Sequence, residues 1–381
     1  MNVALVHDWL TGMRGGERCL EVFCELFPDA PIFTLLHRSG TVSPAIEKHR
    51  IHTSFLQHLP FSHSHYRNYL PLFPRAIESF RLSGFDLILS SSHCVAKGIR
   101  PSTGTCHVSY VFTPMRYVWD QYDSYFAKGR AGLPTRASMR LLRRGLQKWD
   151  IASSKRVHYF IAISHHVAER IRRYYGRKAD VVYPPVDFDA FSVSERHDGF
   201  YLMVTAFAPY KRVDLAIDAF NALKKPLKII GTGQEEKRLK TLAGPTIEFL
   251  GWQSDDLVRQ YYGRCKALIF PGEEDFGIVP LEAMATGKPV IAFGKGGVLE
   301  TVVPFNNPGS KISTGVLFSE QTAEALRQAV QLFERRHDAF DPHGIRTHVA
   351  SFGREHFKTH IQALIDTRYQ EFRLGHHAQT S

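Results

Sequence analysis

The chain has 381 residues, 44% hydrophobic and 22% charged, with a formal charge of +11 and 20 further histidines. That length exceeds one ordinary core and suits two domains, and the composition excludes a disordered chain. The positive balance favours polyanionic partners, whether phosphate-bearing small molecules, an anionic lipid surface or nucleic acid.

The opening Met1-Asn2-Val3-Ala4-Leu5-Val6-His7-Asp8 lacks the basic start, long apolar core and cleavage site of a signal peptide and reads as a first strand. No apolar run approaches the ~18–20 residues that a bilayer crossing needs, so a membrane would be touched from outside. Five scattered cysteines, Cys19, Cys24, Cys94, Cys106 and Cys265, with no CxxC and no zinc-ligand spacing, point to a reducing cytosol.

In the first half, apolar runs at 3–6, 32–36, 87–89, 108–112, 159–163 and 181–182 read as strands broken by irregular segments. Gly12, Gly15 and Gly16 form a Gly-rich turn between the first strand and a helix over 17–27, which lets backbone come close to a ligand. Its GxxGG spacing is not the GxGxxG of a dinucleotide-binding turn. Residues 55–80 are apolar but too irregular for a strand, and either shape an acceptor groove or form a helical hairpin on the sheet. Between Arg130 and Arg156 eight basic side chains stand against Asp150 alone, with Leu142, Leu146 and Trp149 on one helical face. This is either an amphipathic helix lying on an anionic membrane or a core-facing helix with a solvated basic side.

Tyr183-Pro184-Pro185 opens an extended linker. Beyond it, runs at 201–207, 227–231, 247–251, 267–270, 290–293 and 316–318 alternate with helix-length segments, the rhythm of parallel strands and crossover helices. Val213, Ile217 and Phe220 mark the apolar face of the first such helix. The expected layout is a domain over 1–185, a second over 186–350 and a closing segment over 351–381, whose helix packs back across the junction and whose tail after Gly375 is left out of the fold. Each domain is a doubly wound α/β sheet with ligands gathered beyond the carboxyl ends of its strands.

The most informative stretch is 271-PGEEDFGIVPLEAMATGKP-289. A strand ends just before it, so 271–278 is a loop at the carboxyl edge, and Pro280 suits the first turn of a helix that stops at Gly287. Glu282 then lies in the first helical turn and Glu274 on the loop. The N–H groups of Phe276, Gly277 and Ile278 face out from the helix start, where dipole and unpaired donors favour a phosphate or sugar oxygen. Glutamate oxygens suit the vicinal hydroxyls of a ribose or hexose. On local physics alone, Glu282 serves equally to complement the helix dipole and Glu274 to be a solvated loop acid.

The pattern Glu274-x7-Glu282 stands with "HDWLTGMRGGERCLEVF", "HVSYVFTPMRYVWD", "AFAPYKRVDLAIDAF", "IIGTGQEEKRL" and "FGKGGVLETV". Together these resemble the retaining GT-B glycosyltransferases of family 4, and among them bacterial mannosyltransferases of surface polysaccharide or lipid-linked oligosaccharide synthesis. The resemblance implies two Rossmann-like domains facing an interdomain cleft. It implies transfer of a hexose, mannose from GDP-mannose, onto a glycan or polyprenyl-diphosphate-linked acceptor. Glu274 is then expected on the donor sugar, Glu282 on the ribose, and the Phe276, Gly277 and Ile278 amides on sugar and diphosphate. Lys211 and Arg212 are expected to clamp the diphosphate, and Gly231 and Gly233 to lie against the base. Gly15, Gly16, Arg116 and Asp120 fall to diphosphate or acceptor contact.

Two positions depart from the pattern: Ala206 where relatives often carry arginine, and Phe112 where many carry histidine. His107 does not replace the latter, because strand alternation puts it on the other face. Asp187-x-Asp189 matches a metal-binding DxD only superficially, since it lies in the proline-rich linker, so no metal or other cofactor is expected. Retention without a protein nucleophile fits front-face displacement with the departing phosphate as base. The implied location is cytoplasmic, at the inner face of the membrane. A nucleotide-sugar epimerase of the same fold and a donor-binding protein without turnover are the alternatives. A nucleic-acid partner is not expected, because no such module is present.

Overall fold

A computed structural model describes every residue except 121, 123–132, 306 and 381, so Arg130 of the basic stretch lies outside the described residues. The chain divides into two compact units, Met1–Pro185 with Glu355–Ser381, and Val186–Arg354.

The first unit is built on a parallel sheet of seven strands: β1 Val3–His7, β2 Ile32–Thr34, β3 Ile51–Thr53, β4 Leu87–Ser92, β5 Cys106–Val111, β6 Tyr159–Ala162 and β7 Ala179–Val181. Their order is β3-β2-β1-β4-β5-β6-β7. The residues of β1, β4 and β5 are buried throughout, as expected where helices cover both faces of a parallel sheet. The sequence gives no sign of β3, a half-buried Ile-His-Thr at the sheet edge that exists through its pairing with β2.

The first helix spans Gly15–Leu26, so Gly15 and Gly16 belong to its first turn and not to the turn ahead of it; the chain reverses at Gly12, whose φ is 153°. Residues 55–80 form short α and 3-10 turns that bury Leu56, Tyr66, Leu70 and Phe73 in the core, which makes them a helical layer on the sheet. In the helix Leu133–Ser154 the face carrying Leu142, Leu146 and Trp149 packs on that same core. Trp149 Nε1 donates to Glu78 at 2.7 Å, while buried Lys97 pairs with buried Asp150 at 2.9 Å. Arg140, Leu141, Arg144, Lys148 and Ile151 are among the residues the helix exposes.

The last helix, Arg354–Thr380, continues beyond Gly375, where the tail was expected to leave the fold. It buries Phe357, Ile361, Ile365 and Tyr369, a stripe at four-residue spacing, and sets Phe357 against Phe23 and Tyr110. Arg368 closes the contact with a two-pronged bond to Asp180 of β7 at 2.6 and 2.8 Å.

The second unit has six parallel strands: β8 Tyr201–Val204, β9 Leu227–Ile230, β10 Ile247–Gly251, β11 Leu268–Phe270, β12 Val290–Phe293 and β13 Gly315–Phe318, in the order β10-β9-β8-β11-β12-β13. The helix Val213–Leu223 buries Val213, Ile217 and Phe220 as its spacing predicts. In each sheet the first strand is a point of reversal: later strands are added on one side up to β3 or β10, then on the other from β4 or β11. Sheets of this kind hold ligands in the crevice at that reversal, beyond the carboxyl ends of the strands.

Candidate active site

In the second unit the reversal lies between β8 and β11, and the loops leaving these two strands carry the expected catalytic pair. After β8 the chain makes a 3-10 turn, Pro209–Lys211, and after β11 it runs through 271–277 into the helix Ile278–Ala285. Lys211 Nζ meets Glu274 Oε1 at 2.5 Å, with both side chains still partly exposed. The ammonium also stands 5.3 Å from the centre of the Tyr210 ring. Glycines make the approach of these loops possible. A Cβ on Gly272 would come within 3.0 Å of Tyr210 O, and one on Gly296, at φ 83°, within 2.4 Å of Glu274 O. Gly297 donates its N–H to that same carbonyl at 2.8 Å, which explains why the "FGKGG" motif accompanies the glutamates.

Gly277, at φ 91°, is the residue before the helix, so the helix begins at Ile278, two residues ahead of Pro280. Glu282 therefore sits in the second turn and not the first, at 3.6 residues per turn. There Tyr262 donates its hydroxyl to Glu282 Oε2 at 2.9 Å and sets the carboxylate's direction. The Phe276 ring is buried, 6.1 Å from Phe352, so its side chain serves packing.

Arg212 is placed differently from Lys211. At φ 52° it starts the helix Val213–Leu223, and its guanidinium bonds Asp214 at 3.3 Å and Gln321 at 3.1 Å. Gln321 in turn donates to Pro271 O at 2.9 Å. Arg212 thus braces the Glu274 loop. Gly231 and Gly233 follow β9, and each is pressed against the chain leaving β8: a Cβ on Gly231 would stand 1.8 Å from Thr205 O, and one on Gly233 2.7 Å from Phe207 N. Packing alone therefore demands glycine at both.

Among the first-unit candidates, Gly16 lies against the Phe112 and His7 rings, with its Cβ position 3.4 and 3.5 Å from them. Gly15 opens the same helical turn. Arg116 is partly buried in the segment after β5. Asp120 is engaged on both oxygens, by an ion pair with buried Arg170 and by the Tyr174 hydroxyl, and so fastens the helix His165–Tyr175. His107 is fully buried, bonded to Ser90 at 2.9 Å, and its pKa falls to about 3, chiefly because burial disfavours the charged ring. Asp187 precedes the 3-10 turn Phe188–Ala190 and Asp189 lies within it, and among the described residues no three His, Cys, Asp or Glu side chains converge as metal ligands.

The geometry can act as an anion and hydroxyl site: a cation at the sheet reversal, a helix start beside it, and two carboxylates that accept from sugar hydroxyls. Comparison with known proteins agrees in kind. Residues 14–190 match the family model described as Glycosyltransferase Family 4, and residues 187–339 that of Glycosyl transferases group 1. An uncharacterized glycosyltransferase of Methanocaldococcus jannaschii, MJ1178, is 34% identical over 148 residues, 38% of this chain and 42% of the relative. The alpha-1,3/1,6-mannosyltransferase ALG2 of Kluyveromyces lactis is 29% identical over 228 residues, 48% of this chain and 45% of the relative. The chain thus spans less than half the length of these curated relatives. Among solved structures, Anabaena Alr3699/HepE in complex with UDP and glucose superposes with a TM-score of 0.70 at 15% identity, over 96% of this chain and 99% of that one.

Proposed function

We propose that this chain, which belongs to the family 4 glycosyltransferases and has their GT-B fold, transfers a hexose with retention from a nucleotide sugar, mannose from GDP-mannose, to a hydroxyl of a glycan or polyprenyl-diphosphate-linked acceptor. The observation that carries this reading is the 2.5 Å contact between Lys211 and Glu274 at the reversal of the second sheet. In the free protein the two side chains neutralise each other. A donor entering between them gives Lys211 a diphosphate oxygen and Glu274 the hydroxyls of the sugar, so both charges stay compensated.

As the bond from the sugar's anomeric carbon to the phosphate oxygen breaks, negative charge grows on that oxygen, and Lys211 with the Gly277 and Ile278 amides stabilises it. The acceptor hydroxyl attacks from the same face, and its proton passes to the departing phosphate. The products are the glycosylated acceptor, with the donor's anomeric configuration kept, and the nucleoside diphosphate. Glu282 holds the ribose in a direction set by Tyr262. No metal or other cofactor takes part. Arg140, Arg144 and Lys148 on the exposed side of the helix Leu133–Ser154 supply contact with an anionic membrane surface at the inner face of the cytoplasmic membrane. No helix among the described residues is long and apolar enough to cross a membrane.

Incubating the purified protein with labelled GDP-mannose and a membrane lipid extract tests the reading. Label moved to lipid or glycan with an α linkage supports it. An epimeric nucleotide sugar points to an epimerase, and tight binding without product at any enzyme concentration points to a protein that only holds the donor.

A further inference from the structure

The crevice at the reversal of the first sheet, between β1 and β4, also holds a polar cluster. Directly after β1, Asp8 is fully buried. Its carboxylate accepts the main-chain N–H groups of His93, Cys94, Val95 and Ala96, which follow β4, at 2.6 to 3.0 Å. One side chain therefore ties the two strands together across the reversal. The same carboxylate meets the Nδ1 of the His93 ring at 3.1 Å.

Four amides and the ring leave Asp8 no lone pair for an outside ligand. Its remaining effect is to fix His93 with the proton on Nδ1, which makes Nε2 a lone-pair acceptor aimed away from Asp8. Nε2 carries no hydrogen bond among the described residues, and a quarter of the His93 side chain is exposed. The ring is kept in place by Trp9, edge-on at 4.4 Å between centroids, and by Phe112 at 6.4 Å. Beside it His7 is fully buried, its Nδ1 2.7 Å from Ser91 Oγ. Its Nε2 is without a hydrogen bond, 3.7 Å from Glu17 Oε1, and the ring lies against the Gly16 turn.

We propose that His93, its ring oriented by Asp8, is an acceptor-binding residue of the first unit and takes a hydrogen bond at Nε2 from a hydroxyl of the sugar that receives the transferred hexose. The proposal rests on the transferase reading above. A carbohydrate hydroxyl is a group that fits, because it donates to an imidazole lone pair. A phosphate oxygen only accepts, and would face that lone pair. Asp8 acts through His93 and is a positioning residue.

The test varies donor and acceptor separately in His93→Ala, His93→Gln and the wild type, with calorimetry of the nucleotide sugar and 15N spectra of the ring alongside. His93→Ala raises the acceptor KM about tenfold or more, the scale of one lost hydrogen bond to a well-placed group. It leaves the nucleotide-sugar Kd within about twofold, and His93→Gln recovers part of the loss through its side-chain oxygen. The wild-type ring shows the neutral Nδ1–H form, and Asp8→Asn, in preparations that melt as the wild type does, changes that tautomer balance. Unchanged acceptor kinetics in both His93 variants, with the wild type active, overturn the proposal alone. So does a weakened nucleotide-sugar Kd with unchanged acceptor KM, which assigns His93 to the donor. A wild type that transfers from no nucleotide sugar removes the transferase reading and the proposal together.

Discussion

The two sheets share a topology and place a carboxylate against a side-chain nitrogen at the same point of it, yet the pairs are built differently. At the reversal of the second sheet, Lys211 and Glu274 sit on loops, partly exposed, each with its charge answered chiefly by the other. At the reversal of the first, Asp8 is buried and saturated by four backbone amides, and only the histidine it holds reaches solvent. The first arrangement can exchange partners when a charged ligand arrives. The second cannot, and presents a hydrogen-bonding group of fixed direction. That contrast suits a phosphate-bearing donor on one sheet and an uncharged hydroxyl on the other.

Removing the exchangeable cation should have the largest effect. Lys211→Ala is expected to lower kcat by about 10²–10³, the range for loss of one group that stabilises the leaving charge, with an unchanged melting temperature. Glu274→Ala should also act mainly on kcat. If either leaves steady-state rates intact, the contrast between an exchangeable and a fixed pair fails at its first member.

A glycine pair separates contact from conformation. Gly296→Ala forces a Cβ to 2.4 Å from Glu274 O at φ 83°, whereas Gly104→Ala, at φ 82°, meets nothing within 4 Å. Both incur the left-handed penalty of about 1–2 kcal/mol. Only Gly296→Ala should also lose donor affinity, because it displaces the Glu274 loop; thermal melting together with nucleotide-sugar titration reads both effects. Smaller still, Glu282→Ala should weaken donor binding about tenfold and Tyr262→Phe only a few-fold, since the latter removes one bond to a carboxylate that remains. Equal Kd values for wild type and both variants would take Glu282 out of the site.

A separate effect concerns pH. His107 is held neutral in the folded first unit, at about 3 against 6.5 when unfolded, so the unfolded chain binds more protons between these values. Stability should therefore rise with pH across that window and fall as pH drops below about 6.5. Urea unfolding at pH 7 and pH 5 should show a smaller difference in His107→Gln than in wild type, and an equal difference would mean that the ring is protonated in the fold.

Much of this was legible in the sequence for physical reasons. Fully buried parallel strands leave apolar runs, and β1, β4, β11 and β12 were readable as such. The short, half-buried edge strand β3 leaves none. Glu274 and Glu282 were readable as a motif because loop and helix are contiguous, but the start of that helix depended on the φ of Gly277, which moved Glu282 into the second turn. Lys211 facing Glu274 and Asp8 facing His93 join residues far apart in the chain, and only the strand order brings them together. The basic stretch left two readings open, because periodicity cannot distinguish a face on the protein core, where Leu142, Leu146 and Trp149 pack, from one on a lipid surface.

The account stands or falls on a nucleotide sugar bound at the second reversal. Calorimetric titration of wild type, Lys211→Ala and Glu282→Ala with GDP-mannose, and with UDP-sugars beside it, tests this most directly. Saturable binding of GDP-mannose by the wild type, weakened in both variants, is the predicted result. No binding of any nucleotide sugar by folded wild-type protein, or equal binding by all three proteins, would contradict it.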